Sequence, residues 1–246
     1  MEQKSILKAL SFVAPYGVCN KQKIRIGASA DGGYVMLDDF PVDTIAYSLG
    51  IGGDVSWDLD LANRGLKVFQ YDHTISDLPS AHSNFHFNRV GIGTADLDSI
   101  KTLQTIVKEN RHENSKTIIK MDIEDAEWDV LTELHEDLLG QCSQLVIEFH
   151  GLARLADHKW HHRIESVFRK LFSTHFAFHV HANNWGEYVV VNGVPFPDVL
   201  EVSYANRKMY AATTCCDHFP TNLDAPNEPG KDDYFLGQFR FLYIPM

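Results

Sequence analysis

Short apolar runs and longer amphipathic stretches alternate along most of this chain. Runs of five to seven residues fall at 44–49 (TIAYSL), 67–71 (KVFQY), 84–90 (NFHFNRV), 117–121 (TIIKM), 144–149 (QLVIEF) and 176–182 (FAFHVHA), and their length and content predict strands. Between them apolar residues recur at every third or fourth position, which predicts helices over 56–64, 96–110, 126–139 and 158–173. The 96–110 face is Leu97, Ile100, Leu103, Ile106 and Val107; the 126–139 face is Trp128, Val130, Leu131, Leu134 and Leu138. Gly65 and Gly140 stand where two of these helices should stop. An earlier amphipathic helix over 2–12 is closed by Pro15 and Gly17, and Asp31-Gly32-Gly33 before Tyr34–Leu37 predicts a hairpin, with a loop beside the later glycine turn as its functional reading. Strands that alternate with helices imply an α/β fold, a parallel sheet with helices on both faces.

Beyond residue 182 the pattern predicts strands over 187–191 and 199–204 across a turn at 193–197, a loop over 216–233 rich in Pro, Asn and Asp, and a last edge strand over 235–244. No repeat or low-complexity linker divides the chain. It reads as one domain: an N-terminal helix and hairpin (1–40), a core (41–210), and a C-terminal loop and edge strand (211–246).

Composition narrows the function classes. A chain of 246 residues, 44% apolar and 22% charged, can bury a substantial core. A net charge of −11 argues against a general nucleic-acid binder. No run approaches the length of a membrane span, and the N-terminal stripe lacks the apolar core of a secretion signal. The four cysteines contain no CxxC pair. The expectation is a reduced, cytoplasmic setting with no membrane partner; assembly into a homo-oligomer stays open.

The candidate chemistry begins at Gly50-Ile51-Gly52-Gly53, a glycine turn between a strand and a helix. Glycines let backbone approach a ligand, and the following helix aims its free N–H groups at the same place. Asp72, ending the next strand, can accept hydrogen bonds from ribose hydroxyls, and the loop at Gly91 after the third strand is expected near a base. This is a nucleoside half-site. With no third spaced glycine, GxGG suits a nucleoside without a pyrophosphate, S-adenosylmethionine rather than NAD.

Polar strand ends supply the rest: Asp122 with Glu124 and Asp125, then Glu148 and His150, then His179, His181, Asn183 and Asn184. Alternation puts Glu148 and His150 on one face and His179, His181 and Asn183 on another. Neighbouring strands would bring Asp122, Glu148 and His150 into one cleft. Such a set can hold a divalent metal, or it can act as a general base, with His150 or His181 oriented by Glu148 or Asp122. Plain alternatives stand beside these readings: a strand-end Asp is often a helix cap, and His179 and His181 can be satisfied core residues. Trp185 is a candidate substrate wall.

Six segments carry a resemblance to a known family: RIGxxxDGGYV at Arg25–Val35, SLGIGGDVSWDLDLA at Ser48–Ala62, VFQYDHT at Val68–Thr74, KMDIEDAEWDVL at Lys120–Leu131, LVIEFH at Leu145–His150 and HVHANN at His179–Asn184. Together they resemble the S-adenosylmethionine-dependent methyltransferases of the FkbM-type and methyltransferase-like group. KMDIEDAEW is similar to that family's K-[IM]-D-[IV]-E-G-x-E-W, except that Asp125 stands at the usual Gly, a change that bears on the local turn and adds a carboxylate near the site. Asp72 is followed by His73 where relatives often have Pro. The resemblance implies a class I Rossmann-like methyltransferase fold with a mostly parallel seven-stranded sheet. It implies that Gly50 and Gly52 approach the cofactor, that Asp72 binds its ribose, and that the Asp122 strand end lies beside the methyl group. Several relatives methylate sugar hydroxyls, some with a divalent metal, so a sugar or glycan hydroxyl is the implied acceptor. The rival readings are a nicotinamide-dependent oxidoreductase, a metal-dependent hydrolase, and a fold that binds a partner without turnover.

Overall fold

The computed structural model describes residues 2–241. Seven strands make the central sheet: β1 Ile45–Leu49, β2 Lys67–Tyr71, β3 Phe85–Asn88, β4 Thr117–Met121, β5 Cys142–Phe149, β6 His175–Ala182 and β7 Leu200–Asn206, in the order β6-β7-β5-β4-β1-β2-β3. β7 runs antiparallel to both its neighbours, and every other pair is parallel. The carboxyl ends of β1 to β6 therefore share one edge, and the start of β7 joins them there. The chain leaves β1 in one direction toward β2 and β3, then returns to its other side with β4. That reversal opens a crevice at the carboxyl ends of β1 and β4.

Side-chain alternation divides the core in two. Tyr47, Leu49, Ile119, Met121, Leu145, Ile147 and Phe149 point to a face covered by α1 (Gln3–Ser11), α3 (Leu103–Glu109), α4 (Glu127–Glu133), α5 (Glu136–Gln141) and α6 (His158–Thr174). Ala46, Val68, Ile118 and Val146 point the other way, against α2 (Ser56–Asn63) and the hairpin of Lys23–Ile26 with Tyr34–Leu37. This second face also buries Ser48, Lys120, Gln144, Glu148, Glu201 and Ser203. The hairpin satisfies several of them with backbone a helix would not have free. Gln144 accepts from the Leu37 N–H and donates to the Leu37 carbonyl, and the Ser203 hydroxyl donates to the Val35 carbonyl.

Several boundaries differ from the sequence expectation, each for a local reason. The helix expected over 96–110 begins only at Leu103, because Asp96 accepts from the Thr102 N–H and Thr102 caps the helix through the Thr105 N–H. Ile100–Lys101 instead pairs with Gly91–Ile92. The stretch 126–139 is two helices, since Leu134 turns extended (φ −62°, ψ 129°), and Gly140 lies within α5 rather than ending α4. Val194–Pro197 is a strand and not a turn. It pairs with Tyr188–Val191 around Asn192 and Gly193, whose φ values of 49° and 81° make a two-residue hairpin turn. Of the edge strand expected over 235–244, residues 235–241 show only an isolated bridge between Phe219 and Gly237, and 242–244 lie outside the described residues. Among the described residues no helix is long and apolar enough to cross a membrane, and all four cysteines are free.

Candidate functional site

At the carboxyl ends of β1, β2 and β4 lies a cleft of about 820 Å³, and Gly50, Gly52, Asp72, Gly91 and Asp122 all line it. Its floor depends on glycine. Gly50 has φ +79°, and a Cβ there would stand 1.6 Å from the Asp122 carbonyl oxygen, so only glycine lets this turn touch the end of β4. A Cβ on Gly52 or Gly53 would meet nothing within 4 Å, so the backbone there faces open cleft. Gly91 is required for packing, since its Cβ would lie 2.5 Å from His73 Nδ1 and 2.6 Å from Ile100 Cδ1.

Two polar groups hold the turn. Asp72 Oδ2 accepts the N–H groups of Ile51 and Gly52, each at 2.9 Å, while Oδ1 accepts the Thr74 N–H at 2.7 Å and hydroxyl at 2.6 Å. Burial would raise its pKa, but these donors, Gly52 foremost, bring it down to about 2. Four bonds engage the two carboxylate oxygens, so Asp72 braces the turn from within while lining the cleft where the sequence suggested a ribose contact. Lys120 is the second brace. It is buried, and its Nζ donates to the Gly50 carbonyl at 2.7 Å. Sequence reasoning passed over Lys120; the available signal was a lysine inside an apolar strand, two residues before Asp122 and therefore on the same face.

The N-terminus of α2 is likewise not free. Asp54 Oδ1 accepts both the Ser56 N–H at 2.9 Å and the Ser56 hydroxyl at 2.5 Å. A carboxylate already stands where a phosphate would bind. The charged lining is five carboxylates (Asp31, Asp54, Asp72, Asp122 and Glu124) and Lys120. The hairpin tip supplies Asp31 and Gly32 to this wall. It is fastened by the Gly27 N–H to Asp60 at 2.8 Å and the Ala28 N–H to the Ser56 hydroxyl at 2.7 Å.

Behind Asp122 lies a more buried group. The Tyr34 hydroxyl, missed as a site residue, stands 3.3 Å from Asp122 Oδ2 and 3.5 Å from Glu148 Oε2. Asn183 Nδ2 donates to Glu148 Oε1 at 2.7 Å. Burial and the neighbouring Asp122 push the Glu148 carboxyl up to about 8. His150 Nδ1 lies 3.3 Å from Glu127, and its Nε2 lies 3.4 Å from Glu148 and 3.6 Å from Glu124. Burial disfavours its charge, but Glu127 and Glu148 outweigh it and raise the pKa to about 11. His181 is held at Nδ1 by Glu201 (3.1 Å) and at Nε2 by Asp233 (2.9 Å), which against burial lift it to about 10.

These contacts revise the expected trio. Neighbouring carboxylates draw both His150 and His181 toward their charged forms, which works against either serving as a general base. Asp122, Glu148 and His150 stand near one another, Tyr34 reaching both Asp122 and Glu148 and His150 lying 3.4 Å from Glu148, while ligating atoms gather in two sets, Asp122 with Glu127 and His150, and Asp31 with Glu148 and Glu201. Asp125 adds no carboxylate to the cleft. Its φ is +78°, the conformation glycine prefers, and its side chain pairs with Arg154 at 2.6 Å. His179 pairs with Asp224 at 2.7 Å under the C-terminal loop. Trp185 is 59% exposed, and its N–H donates to Asn183.

No protein-family model matches the chain. Over 119 residues, 42% of the chain, it is 33% identical to "Probable methyltransferase-like protein 24" of Homo sapiens. It is 32% identical to the protein of the same name from Rattus norvegicus over 120 residues, again 42% of the chain. The match covers 32% of each of these proteins, so the chain spans about a third of the length of the curated relatives it matches. This similarity supports a methyltransferase family, and the seven-stranded, mostly parallel sheet is consistent with a Rossmann-like fold.

Proposed function

We propose that this protein transfers a methyl group from S-adenosylmethionine to a hydroxyl, with a sugar or glycan as the acceptor class. The observation that carries the reading is the charge of the cleft. A nicotinamide dinucleotide brings two anionic phosphates, whereas five carboxylates line this cleft, Asp54 takes the Ser56 N–H at the start of the helix that would receive them, and Lys120 is committed to the Gly50 carbonyl. S-adenosylmethionine brings a sulfonium and an ammonium against one carboxylate, a net positive charge that suits an acidic wall. The open backbone of Gly52 and Gly53, with Ile92 and Ile100 as an apolar lining, fits a nucleoside.

S-adenosylmethionine, when bound, supplies an electrophilic methyl group. The residues of the chain do the rest. Asp122 takes the proton of the acceptor hydroxyl on a carboxylate oxygen as that oxygen becomes nucleophilic. Tyr34 donates to Asp122 Oδ2 and so fixes its orientation. Glu148, whose carboxyl burial and Asp122 push toward the neutral form, adds little negative charge behind Asp122. His150 orders the loop after β4 by engaging Glu124 and Glu127. Carboxylates at the cleft wall suit a polyhydroxylated acceptor.

Asp122→Asn is expected to lower the rate of methyl transfer about 10²-fold or more while leaving S-adenosylhomocysteine affinity within a few-fold. Transfer of labelled methyl and calorimetric binding, measured on the same preparation, check both. An equal loss of binding and rate would assign Asp122 to holding the cofactor and remove it from proton transfer.

A further inference from the structure

We propose that Asp31, Glu148, Glu201 and Asn227 form a binding site for one hard divalent cation, which fastens the C-terminal loop to the wall of the cleft. The site is assembled from four segments distant in sequence. Asp31 comes from the hairpin tip, Glu148 from β5, Glu201 from β7 and Asn227 from the loop. The antiparallel course of β7 creates the pairing: Glu201 is in direct register with Glu148 on one side and with His181 on the other. Two acidic side chains face to face on adjacent strands cannot both carry charge at low cost unless something positive stands between them.

One carboxylate oxygen of each of Asp31, Glu148 and Glu201 lies within 4.8 Å of the others. Two oxygens on one ion stand at most two bond lengths apart, roughly 4.6–5.2 Å for calcium–oxygen bonds of about 2.3–2.6 Å. The three carboxylate oxygens therefore lie within the span of one ion's shell. Nearby basic side chains are engaged elsewhere. Arg25 gives its donors to the carbonyls of Ala28, Ala30 and Leu223, and Lys23 pairs with Asp217. His181 holds Glu201 by Oε2, and His150 lies against Glu148 Oε1.

Asn227 is the independent sign of a ligand. It is 2% exposed, and its amide is aimed into the cluster, with Nδ2 3.0 Å from Asp31 Oδ1 and 2.6 Å from Glu201 Oε1. Its own Oδ1 is buried and has no hydrogen-bond partner. A half-turn of the amide exchanges the two ends and brings that orphan oxygen into the cluster. Its spacing from the two carboxylates is then close to that of adjacent ligands in a cation shell. The resulting donor set is all oxygen, three carboxylates and an amide, which selects calcium, manganese or magnesium over zinc. The ion would lock the loop, already pinned by His179–Asp224, His181–Asp233 and Asn184–Glu228, over the polar face of the sheet.

The inference rests on these residues and not on the identity of the methyl donor. Its test is calorimetric titration of calcium and manganese into the chelator-stripped full chain, with the melting temperature followed in parallel. One ion per chain is expected, and at a hundred times the dissociation constant the melting temperature should rise by roughly 5–10 °C. Asp31→Asn, a change at an exposed side chain, should weaken binding at least about tenfold, and Asn227→Ala should weaken it as well. Glu127→Gln should leave it unchanged. Absence of uptake by the folded protein, or loss of uptake in Glu127→Gln with retention in Asp31→Asn, overturns the proposal.

Discussion

Asp125 shows how a single position can be read correctly for type and wrongly for role, and Lys120 how one can be passed over. Asp125 keeps the left-handed turn that a glycine would adopt without strain, and spends its carboxylate on a half-exposed pair with Arg154. Relief of that strain should outweigh loss of a surface ion pair. Asp125→Gly is therefore expected to stabilise the fold by about 1 kcal/mol, a shift of roughly 2–4 °C in melting temperature, without loss of activity. Lys120 acts in the other direction. Lys120→Met removes the donor to the Gly50 carbonyl and leaves the buried Asp58 without its nearest favourable charge, so S-adenosylhomocysteine should bind about tenfold or more weakly. Calorimetry on the two variants checks both. A lysine in an apolar strand was visible in the sequence; the carbonyl it serves belongs to a turn 70 residues away.

At the scale of elements, apolar runs located the strands because a strand buried on both faces announces itself by composition. The polar ends of β4, β5 and β6 were legible for the same reason, as charges that a buried strand does not need. What the sequence could not give was which ends meet. β7 inserts between β5 and β6 in the opposite direction, so Glu201, near the beginning of a strand, arrives beside the ends of the others. Glu201 and Asn227 were invisible as site residues on that account, and Tyr34 was hidden in a hairpin whose docking only the three-dimensional arrangement reveals. Helix boundaries shifted where Asp96 and Thr102 offered local hydrogen bonds, and where Leu134 turned extended, against the apolar period. β6 also carries a pH term at its first residue. His175 is wholly buried, bonded to the Cys142 carbonyl, and burial lowers its pKa to about 4. Between pH 6.5 and 4 the unfolded chain binds a proton here that the folded chain refuses, so this stability is present above the unfolded pKa and is lost on acidification. The stability advantage of the protein over His175→Gln should shrink by on the order of 3 kcal/mol across that window, as measured by urea unfolding. An advantage that stays constant with pH would show that His175 is accommodated in its charged form.

For the whole molecule, one edge of one sheet gathers the chemistry. The crevice between β1 and β4 holds the glycine turn, and the row through Glu148, Glu201 and His181 extends away from it beneath the hairpin and C-terminal loop. The helical face is apolar and bears the packing, while the opposite face is polar and bears the site. Net charge alone argued against nucleic acid; its local form, an acidic cleft whose lining lysine is committed to backbone, argues for a nucleoside that carries no phosphate. Calorimetric titration of S-adenosylhomocysteine and of NADH into the full-length chain tests that claim most directly. The account predicts one S-adenosylhomocysteine per chain, retained in Asp122→Asn and weakened in Lys120→Met, with no heat from NADH. Binding of NADH with none of S-adenosylhomocysteine would contradict it.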